Sequence, residues 1–544
     1  MPSTGPTTSR PPADSAAALL QQEEAWARRA LRRASLSWWN ASISGKPSDY
    51  QRMEAADRAV NRHYARPGPF RRLSALVRVQ ALDQITRRRL ERLRQAYQGK
   101  QAPLALLDRI TSAEAAIQQE YSTFRSQVHG QTRTDNELED ILRTSADSGE
   151  VRAAWEARKQ IGGVVADELR ALAELRNEAA RANGFADYWH QQLSLDELDP
   201  DRLVQTLDEV DRATEAPFLA MKADLDRQLA ERFGIAVAAL RPWHYGDPFF
   251  QETPEVFAPP ADPLYAGKDV VALAAETYRQ LGFPGIDAIL ARSDLYPRPG
   301  KNQHAYAVDI DRKGDVRTFL NVLPNARWMG TLLHELGHTI YQDGIDRVSL
   351  AWDLRDDPQG FLNEGFAMFC EGPTLDPAWL TSMVGLSDDE ARSLAPGLRA
   401  QQTSALLAFL RWCLTIVSFE RAFYADPRQD LNTLWWDLET RYQRVPRPEG
   451  RDAPDWAAKI HVATAPVYYH KYLYGRLFAA QLERDIQRRF GGWWQGRPAS
   501  GGYVATELFA PGAALPWPEL VARSTGQPLA TAALEAAIAW PVRA

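Results

Sequence analysis

Cysteine is almost absent: Cys370 and Cys413 are the two in a chain of 544 residues. Two thiols cannot staple a protein of this size, so stability must come from a packed core rather than a disulfide framework. They read as buried thiols, with one bridge as the most they could form. A charge excess is lacking too. Lys and Arg number 64 against 70 Asp and Glu, a net of -6, which offers no face to nucleic acid or to an anionic membrane. The runs Arg28-Arg29, Arg32-Arg33 and Arg87-Arg88-Arg89 alternate with apolar residues at helical spacing and read as solvated helix faces. No stretch of about 18 consecutive apolar residues occurs, so no transmembrane helix is predicted. The start, Met1 to Ala16, is rich in Pro, Ser and Thr and lacks the apolar segment of a signal peptide. As written, the chain is expected to be soluble and cytoplasmic, with room for a mature secreted or periplasmic form.

What is present is helical. Apolar residues make up 45% of the chain, enough for a sizeable core. Ser15–Ile43, Ser48–Tyr64, Ile85–Tyr97, Asp135–Thr144 and Val151–Asn183 carry amphipathic helical periodicity, with Trp38 and Trp39 expected as core anchors. A Pro-rich, aromatic connection runs from Arg241 to Pro263, either as the lining of a substrate channel or as packed irregular structure. From Tyr296 to Val322 the period changes to two. His304, Tyr306 and Val308 alternate with their neighbours, Asp311 to Asp315 makes a turn, and Val316 to Val322 returns. That is the one hairpin the sequence predicts, and it places His304 on a strand beside the next helix.

That helix carries the chemistry. His334-Glu335-Leu336-Gly337-His338 is an H-E-x-x-H pattern. On a helix the two histidines leave one face a turn apart and can share a tetrahedral metal, while Glu335 can hold and deprotonate a water that zinc acidifies. Asn325 is the expected N-cap, Gly344 the stop, and Met329, Leu332, Leu333, Leu336 and Ile340 the buried stripe. No G-x-x-H continues the motif, so a third ligand must come from elsewhere. Glu364 stands inside the apolar run Phe361–Cys370, on a helix expected to start at Asp357-Pro358. A carboxylate there is costly unless paired or bound to a metal. Glu371 either accepts a hydrogen bond from a ligand histidine or is a charge at the helix end. A further polar cluster, Lys459, His461, Tyr468, Tyr469, His470, Lys471 and Tyr472, sits around a helix expected from Pro466 to Gly491. Its phenol and imidazole donors suit an oxyanion.

Together these residues resemble the angiotensin-converting enzyme family of gluzincin peptidases, and more distantly the thimet-type oligopeptidases. The resemblance runs from about residue 20 to the C-terminus. Its motifs are His304-Ala305, 30 residues ahead of His334, then the H-E-x-x-H, Glu364, Lys459-Ile460-His461 and Tyr469-His470-Lys471-Tyr472. The resemblance implies one zinc per chain held by His334, His338 and Glu364, with Glu335 as general base and Tyr472 and His461 stabilising the oxyanion. It assigns His304 and Ala305 to the substrate backbone, and Lys459 and Tyr469 to its C-terminal carboxylate, with Tyr468 as the other candidate. Met368 stands where the family often has an Asp, and Lys471 where animal members carry a chloride-binding Arg. The cysteine count fits a bacterial, single-domain version.

The implied fold is mostly α-helical. A tail of residues 1–15 precedes one ellipsoidal catalytic domain, 16–544, whose two helical halves flank a deep substrate channel with a small β-hairpin next to the zinc helix. The implied function is a peptidyl-dipeptidase acting on oligopeptides as a monomer or weak dimer. An endo-acting oligopeptidase, a Taq-type zinc carboxypeptidase and a silent peptide-binding protein are the alternatives.

Overall fold

Helices carry the fold, as the periodicity requires; the computed structural model describes residues 12–298, 301–302 and 305–540. The first half holds α1 (Pro12–Ser44), α2 (Pro47–Tyr64), α3 (Pro67–Leu76), α4 (Gln84–Gln98) and α5 (Leu104–Thr123). A hairpin of β1 (Ser126–Val128) and β2 (Gln131–Arg133) follows, then α6 (Asp135–Thr144), α7 (Ser148–Ala182), α8 (Tyr188–Leu195) and α9 (Pro200–Phe233). Next come α10 (Val270–Gln280), α11 (Ile286–Arg292) and a second hairpin, β3 (Tyr306–Asp309) with β4 (Val316–Phe319). The site helices are α12 (Ala326–Asp343) and α13 (Gly360–Cys370), followed by the single turn α14 (Pro377–Trp379), α15 (Asp388–Ala425) and α16 (Leu431–Gln443). The chain closes with α17 (Ile460–Thr464), α18 (Tyr469–Phe490), α19 (Ala499–Val504) and α20 (Trp517–Thr525).

The mostly helical reading agrees with this order, and so do nearly all the predicted helix positions. Of the predicted tail, residues 1–11 lie outside the described residues, and the first helix begins at Pro12 rather than Ser15. The β1–β2 hairpin is a correction, since one hairpin was expected. Its two-residue loop, His129-Gly130, has φ of 50° and 76°, the left-handed pair that closes a tight hairpin. His-Gly is a weak form of that signal.

Helices α1 to α4 bury Ala16, Leu19, Leu20, Tyr64, Leu73, Leu76, Leu90 and Tyr97 in a small core of their own. The end of α1 reaches the second hairpin. Trp39 is buried edge-on to Phe319 at 5.8 Å, whereas Trp38 stacks on Tyr306 at 4.0 Å with its other face in solvent. Of the two expected anchors, only Trp39 is a core residue. A single large core runs through the rest of the chain, with Trp155, Trp189, Trp412, Trp435, Trp436 and Trp456 fully buried. Helix α15 is long and apolar enough to cross a membrane by length and composition, but its apolar stretch is largely buried in this core. Burying that much apolar surface drives folding at about 25 cal/mol per Å².

Three helices set the site. Helix α13 packs against α12 on one side and α18 on the other. Gly365 and Gly475 meet where α13 crosses α18: a Cβ on Gly365 would lie 2.6 Å from the carbonyl oxygen of Gly475. Backbone therefore touches backbone there, and any larger residue would push Glu364 away from α18. Gly344 does end α12, but in right-handed conformation, φ -77°. A Cβ there would lie 2.5 Å from the Phe509 ring, so close packing rather than a left-handed turn calls for glycine.

Candidate functional site

Helix α12 starts where Asn325 accepts a hydrogen bond from the Trp328 amide, 2.8 Å. Its buried stripe, Met329, Leu332, Leu333, Leu336 and Ile340, fixes the helix's rotation and turns His334 and His338 towards α13. The two rings stand 4.9 Å apart at 83°. Glu364 faces both: Oε1 is 3.3 Å from His334 Nε2, and Oε2 is 3.8 Å from His338 Nε2. One ligand atom from each of the three residues lies within 4.8 Å of the others.

The other ring nitrogens are engaged behind the site. His334 Nδ1 pairs with Glu371 Oε1 at 2.7 Å, and His338 Nδ1 with Asn363 Oδ1 at 2.9 Å. Asn363 in turn donates from Nδ2 to Asp357 Oδ2, 3.3 Å, which fixes which end of the amide faces the histidine. With each Nδ1 donating outwards, each neutral imidazole offers the lone pair of its Nε2 inwards. Two imidazoles and a carboxylate converging with one position open are a donor set that fits zinc.

The charge suits a dication as well. Burial would raise the Glu364 carboxyl, but hydrogen bonding to His334 and the two imidazoles outweigh it and hold it below its usual value. His334 is pushed well above its usual value, against burial, by Glu364 and Glu371. Burial raises Glu335, the imidazoles opposing it in part. Its Oε2 is buried without a hydrogen-bond partner. A buried carboxylate oxygen left bare costs about 1–3 kcal/mol, so this one calls for a polar group at the site.

A second cluster lies on α17, α18 and the aromatic loop. Lys459 Nζ donates to Gln251 Oε1 at 2.6 Å, and the Tyr469 hydroxyl donates to the same oxygen at 3.5 Å. The rings of Phe249, Trp412 and Tyr469 stand within 5.5 Å of that ammonium. Burial lowers Lys459 to about 8, with Lys159 adding to the effect while Asp247 and Glu252 oppose it. The His461 ring lies 4.9 Å from that of Tyr469 and 6.2 Å from that of Tyr472. Burial raises the Tyr472 phenol, helped first by Glu364 and also by Glu335, so the charge of the first cluster reaches this residue.

The structure thus brings His334, Glu335, His338 and Glu364 into one group, and Lys459, His461, Tyr469 and Tyr472 into an adjoining one. Of the candidates on α18, Tyr469 faces Lys459, whereas the Tyr468 ring sits 5.1 Å from Tyr472 and under Lys471. Lys471 is itself paired with Asp196 at 2.9 Å. Ala305, just ahead of β3, is half-buried against the main core; His304 lies outside the described residues.

Sequence reasoning missed Gln251 and Asn363. Nothing local marks Gln251, which reaches Lys459 through the tertiary fold. Asn363 did leave a signal: it is the other polar residue in the apolar run beside Glu364. Helix α13 also starts later than predicted. Gln359, not Asp357, is the N-cap and accepts from the Phe361 amide at 2.8 Å. Asp357 is instead half-buried against Asn363, and desolvation with the neighbouring Asp356 raises it to about 6.

Comparison with known proteins bears on the chain as a whole rather than on this cluster. A family model described as Angiotensin-converting enzyme matches residues 11–242, ahead of the whole metal cluster. The converting enzyme of Mesocricetus auratus is 23% identical over 426 residues, covering 72% of this chain and 32% of the relative. That of Mus musculus is 22% identical over 467 residues, 77% of this chain and 34% of the relative. The Theromyzon tessulatum enzyme is 22% identical over 435 residues, 72% of this chain and 68% of its own length. The chain is thus similar to angiotensin-converting enzymes over its first 242 residues by the family model and over about 70% of its length by the relatives. It spans about a third of the length of the mammalian converting enzymes it matches.

Proposed function

We propose that this chain is a zinc-dependent peptidyl-dipeptidase, releasing dipeptides from the C-terminus of oligopeptides. The observation that carries the reading is the convergence of His334, His338 and Glu364, each imidazole held from behind, next to the buried and bare carboxylate oxygen of Glu335. When bound, zinc supplies Lewis-acid polarisation and brings the pKa of water towards neutrality. Glu335 takes the proton of the attacking water and delivers it to the departing amine. Tyr472 and His461 donate to the oxygen on which negative charge develops. His304 and Ala305 hold the substrate backbone.

The end-directed specificity rests on the second cluster. Lys459 and Tyr469 take the terminal carboxylate, and Gln251, bonded to both, aligns them. A cation in an aromatic box with its charge partly desolvated binds a carboxylate strongly. The reading includes one catalytic body from residue 16 onward with a channel too narrow for folded proteins.

Mass spectrometry of the products from an N-blocked tripeptide and its C-terminal amide tests it. Release of an intact dipeptide from the free acid alone, abolished by chelator and restored by zinc, is the expected result. Equal cleavage of the amide points to an endo-acting oligopeptidase, and loss of single residues to a carboxypeptidase. Zinc uptake without cleavage points to a peptide-binding protein.

A further inference from the structure

The backbone between His461 and Tyr472 contains a residue that should not be there. Val467 has φ of 55°, in the left-handed region, and is buried. A β-branched side chain in that conformation is strained, and such strain persists only where the surroundings enforce it. Helix α17 closes with the Ala465 amide bonded to the His461 carbonyl, 3.0 Å, and Pro466 has no amide to donate. The chain then turns at Val467, and α18 begins at Tyr469 rather than at the predicted Pro466. The left-handed residue thus sets both where α18 starts and which way Tyr469 and Tyr472 face.

One side chain holds the turn. Glu420, on α15 and 2% exposed, accepts the Val467 amide on Oε1 at 2.7 Å. The same helix backs the tyrosines, with Phe409 at 6.1 Å from the Tyr472 ring and Trp412 at 5.8 Å from that of Tyr469. Burial raises the Glu420 carboxyl to about 8, the Val467 amide and Arg176 opposing it. Ionised or not, a carboxyl offers an oxygen to the amide. A buried carboxyl at that position is costly unless the bond it makes is needed.

We infer that Glu420 is a positioning residue: by clamping the Val467 amide it holds a strained left-handed turn that aims Tyr469 and Tyr472 at the site. The inference rests on the peptidase reading for its functional consequence, though not for the clamp itself.

Two readouts separate the two. Hydrogen exchange by mass spectrometry across residues 465–469 of the full chain reports the clamp whether or not the protein is a peptidase. Turnover per bound zinc reports its consequence. Glu420→Gln keeps a carbonyl acceptor and should leave both within about threefold. Glu420→Met, of similar volume but without an acceptor, should speed exchange of the segment roughly tenfold and lower kcat roughly tenfold. Adding Val467→Gly should restore kcat to within about threefold, because glycine adopts the turn without strain. Should Glu420→Met alone fail to fold, the double variant is expected to fold and turn over; its failure too would overturn the inference. Unchanged exchange in Glu420→Met, or a lowered Tm with unchanged kcat per zinc, would overturn it as well. A native chain that binds zinc yet cleaves nothing counts against the peptidase reading, while exchange still decides on the clamp.

Discussion

The metal cluster and the Lys459 cluster adjoin one another, yet they are built in different ways. The first comes from two neighbouring helices, and every piece of it sits between His334 and Glu371. The imidazoles are a turn apart on α12, and their partners Asn363 and Glu371 belong to α13 and its end. The second is gathered from the aromatic loop at Gln251, from α15 at Trp412 and from α17 and α18. It includes a left-handed valine. A site made by adjacent helices inherits its geometry from the helical repeat. One collected over more than two hundred residues depends on the whole core and on a clamped turn.

That difference predicts which changes uncouple metal binding from turnover. The largest effect is expected from Glu335→Gln: zinc content stays at one per chain by elemental analysis, while kcat falls by roughly a thousandfold. Activity within tenfold of the native chain would remove Glu335 from the role of base. Next comes the support behind the ligands. Asn363→Ala strips His338 of the acceptor that fixes its ring, and should weaken zinc binding by about 10–100-fold in a chelator competition. Variants at Lys459 or Glu420 should leave that affinity alone. If they shift it as far as Asn363→Ala does, the two clusters are one unit and the comparison fails.

The same division explains what the sequence made legible. His334, Glu335, His338 and Glu364 were readable because a helix converts spacing directly into proximity, and because a carboxylate within the apolar run Phe361–Cys370 is costly unless paired or bound to a metal. Glu371 has two readings in the sequence, and its 2.7 Å bond to His334 decides for the acceptor. Gln251 was not readable at all, since no periodicity links it to Lys459. The N-terminus of α18 was misplaced because a proline at a first turn is the usual signal, and nothing in Pro466-Val467 announces a left-handed valine. Asp357-Pro358 misled in the same way: the proline pattern was right for a helix start, but Gln359 took the cap and Asp357 went to hold Asn363.

The smallest expected effects concern Lys459, and they bear on the second cluster alone. Lys459→Met should raise KM for a free-acid peptide on the order of tenfold and leave that of the C-terminal amide nearly unchanged. The pH profile sharpens this. Burial lowers the ammonium from 10.5 to about 8 in the folded chain, so its charge is present below about pH 8 and is lost as pH rises through that value. The substrate carboxylate stays ionised throughout. KM for the free acid should therefore hold steady up to about pH 8 and then climb to a plateau roughly tenfold higher, with the amide profile flat. For stability the sign is opposite. A lysine whose pKa is depressed by folding costs the folded state when charged, and that cost is relieved as pH rises from about 8 towards 10.5. A loss of binding above pH 8 thus cannot be ascribed to this group unfolding the chain. Lys459→Arg separates charge from shape: its guanidinium stays protonated and should flatten the KM profile. If that variant still loses affinity for the free acid above pH 8, some other group carries the titration.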